Sequence, residues 1–226
     1  MNNFIFHFTP AINQNIYLKD PLNSEIGRQI IQHSNSMIAR MGFEAFTFKK
    51  LSQQISTTEA TIYRYFENKQ MILLYLTSYY WSWVAYRLYV KNSNLNDPEL
   101  QLSNAINILC FPDPLHDELL NTRELFTIIV NESSKSYLNK HVDDLNHFGA
   151  FVNYKKLVSI LHGILLQFDP AYPYGHMLAT TIIEGIHHQI FFAQHLPSLT
   201  DKKSENEYLY NFYFNLALKE LKSTTK

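Results

Sequence analysis

The chain is poor in the residues on which disulfide-rich, β-rich and repeat folds depend. Its 226 residues include one cysteine, six glycines and eight prolines. The single Cys110 excludes an internal disulfide, fits a reducing cytosol and is expected in the core beside Ile108, Leu109 and Phe111. So few glycines and prolines favour long helices. The sequence therefore predicts an all-α protein.

The motifs of several enzyme classes are also missing. The sequence has no phosphate-binding glycine loop, no Gly-x-Ser-x-Gly and no His-Glu-x-x-His. We therefore predict no enzymatic activity, no cofactor and no metal. Glu184 and His187, on one face of a predicted helix, could begin a carboxylate metal site, but a di-metal bundle needs a second such pair. The alternative, that these polar groups lie at an interface or line a pocket, is preferred.

Charge and hydropathy exclude disorder, export and a membrane span. The chain is 46% hydrophobic and 17% charged, with a net charge of −1, which is too apolar for disorder. The apolar stretch Phe4–Phe8 is too short for a signal peptide, so a cytoplasmic location is expected. We expect that stretch to dock on the protein body; a minor-groove arm is the alternative. Residues 71–90 carry only Arg87 as a charge, yet their many tyrosines and tryptophans make this helix amphipathic.

Residues 47–69, TFKKLSQQISTTEATIYRYFENK, spell two short helices joined by a tight turn. Thr47 is placed as the first N-cap, with Phe46 and Leu51 as a hydrophobic staple. The second helix opens at Thr58 and turns Ile62 and Phe66 inward. The side chains roughly opposite are Ala60, Thr61, Arg64 and Tyr65. One face packs, and the other is free to enter a groove.

Two features of this window favour an anionic partner. Lys49 and Lys50 lie in the first turn of their helix, where the helix dipole disfavours cations. Ala60 is the smallest side chain on the outward face and would allow close approach to base edges. The first 70 residues hold seven basic and five acidic side chains, so they form the more basic part of the chain. A DNA-binding head is predicted.

The window, with Gly42-Phe43 before it, closely resembles the helix-turn-helix of TetR/AcrR-type transcriptional regulators. The motif Thr61-Ile62-Tyr63-Arg64-Tyr65-Phe66 followed by Asn68-Lys69 carries the resemblance, which covers roughly residues 24–84. Two departures are Ser56-Thr57, where the family usually has glycine and an aliphatic residue, and Glu59, where a basic or small residue is common. Ser56 should impose left-handed strain on the turn.

The resemblance implies an N-terminal extension (1–22), a three-helix DNA-binding domain (23–70) and a helical-bundle domain for ligand binding and dimerisation (71–226). It implies a ligand-responsive repressor that binds a palindromic double-stranded operator as a homodimer and responds to a small apolar effector. No membrane partner is expected. Two alternatives stay open: a dimeric helical scaffold that has lost DNA binding, and a helical metal-dependent enzyme.

Position by position, the resemblance assigns phosphate contacts and base contacts in the head. Arg64 has the forked guanidinium that reads guanine, with Glu59 and Thr61 as further base-facing residues. Lys49 and Lys50 are either phosphate contacts or ordinary surface charges. The predicted DNA-binding residues are Thr47, Lys49, Lys50, Thr58, Glu59, Ala60, Thr61, Tyr63, Arg64, Tyr65 and Lys69.

Beyond the head, helical patterns start at Ser24 or Asp20-Pro21, continue from Asn68 through residue 90, and recur at 99–110, 117–139, 143–168, 174–195 and 204–222. The residues predicted to enclose a ligand are Tyr79, Trp83, Phe126, Phe151, Tyr154 and His162. In the family the last two long helices pair across a dimer. The residues predicted for that interface are Leu178, Ile182, Ile186, Ile190, Leu209, Phe212 and Leu216.

Overall fold

The computed structural model describes residues 8–111, 119–201 and 207–223, and these residues contain helices and no strand. The all-α prediction is therefore confirmed. The α-helices of the described residues are α1 (Glu25–Ala45), α2 (Phe48–Gln54), α3 (Glu59–Tyr63), α4 (Lys69–Asn92), α5 (Pro98–Cys110), α6 (Thr122–Glu132), α7 (Ser134–Tyr137), α8 (Val142–His147), α9 (Val152–Leu165), α10 (Gly175–His195) and α11 (Glu207–Ser223).

The chain forms two compact units. Unit 1 comprises Met1–Trp83 and Pro114–Asn153, and unit 2 comprises Val84–Asp113 and Tyr154–Lys226. Helix α4 thus contributes to both. The domain boundaries expected from the sequence stay a prediction.

Helix α1 uses both of its predicted start signals. Asp20 accepts a hydrogen bond from Leu22 N and caps the short 3-10 turn Pro21–Asn23. Ser24 then caps α1 by accepting from Gly27 N. At the other end Gly42 has a φ of +78°, a region open to glycine and strained for other residues. This residue bends the chain away from the axis of α1, which resumes for one turn up to Ala45.

The first half of α4 forms part of the core of unit 1. Tyr75, Tyr79 and Tyr80 are fully buried in it. This half of α4 is therefore a core helix, although its tyrosines carry hydroxyl groups. Among the residues described, no helix combines the length and the apolar character needed to cross a bilayer.

The predicted helices at 143–168 and 117–139 are both wrong in extent. The first is two helices, α8 and α9, because Gly149 has a φ of +79° and ends α8. The hydrogen bonds Gly149 N to Asn146 O (3.0 Å) and Ala150 N to Leu145 O (2.9 Å) close this end, as a left-handed C-terminal cap does. The second is also two helices, α6 from Thr122 and α7 up to Tyr137, and residues 117–118 lie outside those described.

In unit 2, α10 and α11 pack closely where Gly185 faces Tyr213. A Cβ at Gly185 would meet the Tyr213 hydroxyl oxygen, so only glycine allows this approach. Burial raises the pKa of the Tyr213 hydroxyl to about 12, with Cys110 adding to the shift. Cys110 is buried, as expected.

The predicted dimer residues on α10 and α11 are mostly core residues of the protomer. Five are buried: Leu178, Ile182, Ile186, Ile190 and Leu209. These side chains keep little exposed area for a second copy to cover, and their assignment to an interface stays a prediction. Only Phe212 and Leu216 are exposed, by 56% and 36%.

Candidate nucleic-acid interface

Helices α2 and α3 form the predicted helix-turn-helix with the predicted caps. Thr47 Oγ1 accepts from Lys50 N at 3.2 Å, and Thr58 Oγ1 accepts from Thr61 N at 3.2 Å. Phe46 and Leu51, the two members of the staple, have no exposed surface. Each cap satisfies an otherwise unpaired helical N–H group. Local sequence therefore fixes where both helices begin.

The turn between them is a Schellman motif with serine in its left-handed position. Ser56 has a φ of 51°. Thr57 N donates to Ser52 O at 2.9 Å, and Ser56 N donates to Gln53 O at 3.4 Å, which is the pairing that defines this motif. The predicted strain at Ser56 is thus present, and the turn keeps its geometry without the glycine.

The outward face of α3 is polar and accessible to a large partner. Tyr63 is 50% exposed, while its ring packs edge-on against Phe48 of α2 at 4.9 Å. Thr58 and Thr61 share a hydroxyl–hydroxyl hydrogen bond of 3.0 Å. The predicted contact residues that lie exposed are Thr47, Lys49, Lys50, Thr58, Glu59, Ala60, Tyr63 and Arg64, with Thr61 half-buried.

Tyr65 is a correction to the sequence prediction. Its side chain is 2% exposed, and its hydroxyl lies 2.7 Å from Ser24 Oγ. Burial tends to raise the pKa of this hydroxyl, but the Ser24 hydrogen bond and the neighbouring Lys19 and Arg64 cations bring the pKa below its usual value. At about 100° per residue, Tyr65 lies only about 60° around the helix from Ile62, so it shares the buried side of the helix and not the outward face. It is not a phosphate contact.

Lys69 is a second correction. Its ammonium donates to the carbonyl oxygens of Phe43 (2.9 Å), Glu44 (3.1 Å) and Phe46 (3.3 Å). It also lies 4.5 Å from the centre of the Phe43 ring. Three acceptors use its three donors. Lys69 therefore binds the backbone that follows Gly42 and does not offer its ammonium to a phosphate.

The two lysines of α2 differ in their surroundings. Lys50 Nζ donates to Ala45 O at 2.7 Å, and so helps to close the segment between α1 and α2. Lys49 is exposed on the same helix. Of the pair, Lys49 is the better candidate for a phosphate contact.

Sequence reasoning missed a buried carboxylate that supports the head. Glu132, at the end of α6, accepts from Phe43 N at 3.0 Å with Oε1, and Lys135 Nζ lies 2.8 Å from its Oε2. Lys135 also pairs with Glu44 at 3.4 Å. The two partners Phe43 and Glu132 are 89 residues apart, so local patterns carry no signal for this contact.

A second carboxylate of α6 bonds α1 in the same way. Glu124 Oε2 accepts from Asn35 Nδ2 at 3.2 Å and from Ser36 Oγ at 2.7 Å. Helix α6 is thus joined to the first helix of the head at two points. Both points lie within unit 1.

The residues predicted to enclose a ligand fall in different units. Tyr79 is 1% exposed and packs with Phe8 at 5.7 Å; Phe8 also contacts Trp83 at 5.1 Å. Phe126 lies 6.2 Å from Tyr80. These rings and Phe151 belong to unit 1, whereas Tyr154 and His162 belong to unit 2. Tyr79 is a core residue; the remaining assignments stay predictions.

The polar groups of α9 and α10 have partners inside unit 2. The Tyr154 hydroxyl donates to Glu184 Oε1 at 2.5 Å, and the His162 ring stacks on His176 at 3.9 Å. Burial, with His176 close by, lowers the pKa of His162. His187 on α10 is buried as well. Within the described ranges, no three His, Cys, Asp or Glu side chains are grouped as a metal site requires.

The geometry defines the class first: an all-helical protein with an N-terminal helix-turn-helix whose polar face is exposed. Residues 30–76 match the family model "Bacterial regulatory proteins, tetR family". The resemblance found in the sequence is confirmed for this part of the chain, which carries the TetR-type helix-turn-helix. No curated protein matches the chain.

Several solved structures of transcriptional regulators have a similar fold. They include the fatty acid degradation regulator FadR from Bacillus halodurans, at 16% identity and a TM-score of 0.59, with 84% of this chain and 93% of that chain covered. AibR, solved in complex with isovaleryl coenzyme A and operator DNA, matches at 13% identity and a TM-score of 0.58, covering 84% and 97%. A TetR-family transcriptional regulator from Bordetella parapertussis matches at 15% identity and a TM-score of 0.56, covering 86% and 95%.

Proposed function

We propose that this TetR-type regulator is a ligand-responsive repressor that binds a palindromic operator as a homodimer. The observation that carries the proposal is the exposed polar face of α3, supported on its other side by the buried Ile62 and Phe66. A helix of this kind enters the major groove with its first residues against base edges. The exposed Lys49 lies on the adjoining helix, where a phosphate would offset its unfavourable position.

The side chains of this face fall into two groups, one suited to phosphate contacts and one suited to base contacts. Hydroxyl groups of Thr58 and Tyr63 and the ammonium of Lys49 suit phosphate oxygens, which fix register without sequence information. Arg64 suits guanine O6 and N7, and Glu59 suits the amino group of cytosine. Ala60, exposed between them, leaves space for the backbone of α3 to approach the bases.

Direct selection of DNA tests the proposal. Duplexes that the immobilised protein enriches from a random pool should share a palindrome whose half-sites lie about one helical turn apart. If the wild-type chain binds the enriched duplex no more tightly than random duplex, the repressor proposal fails.

Two variants then separate reading from positioning. Arg64→Ala should relax preference at one base pair per half-site, by about 1–3 kcal/mol. Lys49→Ala should weaken binding to all sequences alike and reduce the salt slope by about one. Lys140→Ala, an exposed lysine outside the head, serves as control. Equal effects of the first two variants on every sequence would contradict the division of roles.

The dimer is proposed on the part of the expected interface that is exposed. Tyr208, Phe212 and Leu216 lie four residues apart on α11 and are exposed, so they form one stripe of that helix. Met177 on α10 is exposed as well. A second copy that covers the α11 stripe would remove this apolar surface from water.

A charge in the stripe tests this interface. Phe212→Glu should raise the dimer dissociation constant about 30-fold or more, as loss of a central apolar contact does. Phe148→Glu is a matched control, because Phe148 is exposed by 55% against 56% for Phe212 but lies between α8 and α9. Sedimentation velocity measures both. Equal dissociation of the two variants would argue against the α11 stripe.

The effector is proposed to be a small apolar molecule. The complex of the structural relative AibR with isovaleryl coenzyme A supports this proposal. Binding of such a molecule would lower operator affinity by the difference in its affinity for the two states. Native mass spectrometry of the protein after incubation with a host-cell extract should detect the bound mass. An effector without an apolar part would contradict this proposal.

A further inference from the structure

Residues 8–19, which we call the N-terminal strap, are seated on the corner between α8 and α9. Asn13 Nδ2 donates to Gly149 O at 3.2 Å, and Asn15 Nδ2 donates to Phe148 O at 2.9 Å. In return, Asn153 Nδ2 donates to Ala11 O at 2.8 Å. The strap is thus tied to the corner by three side-chain bonds to backbone carbonyls.

From Phe8 to Tyr17 the strap packs along the part of α4 that belongs to unit 1. The Phe8 ring meets Tyr79 and Trp83 edge-on, and Tyr17 meets Tyr75 at 6.2 Å. Ile16 is 1% exposed. These contacts fix the path of the strap along unit 1.

The far end of the strap holds the chain where α3 ends. Leu18 N donates to Tyr65 O at 2.8 Å, and Lys19 Nζ lies 5.1 Å from the centre of the Tyr65 ring. Carbonyl groups at the end of a helix lack partners within the helix. The strap supplies a donor for one of these carbonyl groups, that of Tyr65, which directly follows Arg64.

We propose that the strap positions the recognition helix α3, with Asn13 and Asn15 as positioning residues that act through Leu18 and Tyr65 and touch no DNA. The strap fixes the exit of α3 only while its seat on the α8–α9 corner is intact. A change at that corner would therefore reach the DNA-reading face without passing along α4. The effect on DNA rests on the proposed function, whereas the effect on α3 itself does not.

Hydrogen exchange tests the proposal without DNA. The double variant Asn13→Ala/Asn15→Ala should speed exchange at the Leu18, Tyr65 and Phe66 amides about tenfold, the factor expected when two side-chain hydrogen bonds are lost. The control is Asn94→Ala/Asn96→Ala, which has the same spacing at two exposed loop asparagines. Faster exchange at Leu18 with wild-type exchange at Tyr65 and Phe66 would overturn the proposal.

A second variant disturbs the seat from the other side. A Cβ at Gly149 would lie 2.6 Å from Asn13 Nδ2, whereas a Cβ at Gly163 meets nothing within 4 Å. Gly149→Ala should reproduce the faster exchange at Tyr65, and Gly163→Ala should not. Because Gly149 has a φ of +79°, its alanine variant also strains the end of α8. If the double variant fails to fold, this pair therefore supports the proposal only when faster exchange reaches Leu18 and Tyr65, and faster exchange confined to the end of α8 would overturn it.

Binding measurements complete the test. With the duplex that the wild-type chain enriches, both strap variants should bind about three- to tenfold more weakly, because α3 is held correctly for less of the time. Affinity for random duplex and the salt slope should stay unchanged. A parallel loss for both duplexes, together with lost ellipticity, would mean general destabilisation and would overturn the proposal. A wild-type chain without duplex preference would refute the proposed function, while exchange at Tyr65 would still decide the role of the strap.

Discussion

The helix-turn-helix and the pair α10–α11 both carry apolar stripes at helical spacing, yet the stripes have different meanings. In the head the stripe of Ile62 and Phe66 is buried, and the polar remainder faces out. In α10 the stripe of Ile182 and Ile186 is equally buried, although the family resemblance suggests an interface. The outer face of α11 carries a second set of apolar side chains.

The difference teaches that an apolar stripe shows which face of a helix packs on the protomer core only when the helix has a single stripe. Helix α3 has five residues, and its apolar side chains suffice for one contact. Helix α11 has 17 residues and buries Leu209 and Tyr213 while exposing Phe212 and Leu216. For such a helix, periodicity gives two faces without saying which one the protomer covers.

The largest expected effect tests whether the apolar stripe of α10 belongs to the core of the protomer. Ile186→Ala should destabilise the protomer by about 2–5 kcal/mol, because the side chain is fully buried and its removal leaves a cavity. Leu216→Ala, in contrast, should leave the protomer itself nearly as stable and make its unfolding less dependent on protein concentration, because a weaker dimer adds less stability by mass action. Urea unfolding at two concentrations measures both. The assignment of the two faces fails if the variants behave in the reverse way.

The second effect probes the head through its long-range support. Glu132→Ala should cost about 1–3 kcal/mol of stability, since Phe43 N loses its buried acceptor. Glu132→Gln keeps an acceptor at this place and should lose less. Chemical denaturation measures the difference. Equal losses in both variants would show that the charge pair with Lys135, rather than the bond to Phe43, matters most.

The third effect is a pH dependence that belongs to α10. Burial, together with His188, lowers the pKa of His187 to about 3, against 6.5 when the chain is unfolded. Between these values the unfolded state binds the extra proton, so stability should fall with decreasing pH, by up to about 1.4 kcal/mol per unit. His187→Leu should flatten the decline below pH 6.5 in thermal melts. An unchanged slope would mean that other groups cause it.

The smallest expected effect tests the backbone strain at Ser56, in the turn between α2 and α3. Ser56→Gly should stabilise the protein by about 1 kcal/mol, because serine is strained at a φ of 51°. Ser56→Ala keeps the Cβ and should change little. Differential scanning calorimetry compares them. A gain in Ser56→Ala that equals the gain in Ser56→Gly would show that the left-handed strain is not the cause.

Much of the head could be predicted from the sequence because its determinants are local. The caps Thr47 and Thr58, the strained Ser56 and the break at Gly42 each depend on side chains within four residues. Tyr65 and Lys69 could not be placed correctly, because their partners Ser24 and Phe43 are 41 and 26 residues away. Of the segment Phe4–Phe8, only Phe8 lies among the described residues, and its packing on Tyr79 and Trp83 agrees with the docking that the sequence favours.

The amino-acid sequence by itself determined the all-helical class, the caps and turn of the helix-turn-helix and the kind of side chain on its outer face, since these follow from propensity, hydrogen bonding and periodicity over a few residues. Only the tertiary structure decided which tyrosine and which lysine leave that face, which stripe of α10 and α11 lies inside the protomer, and that the strap joins the α8–α9 corner to the end of α3. These outcomes depend on contacts between distant parts of the chain, whose free energies no local pattern contains.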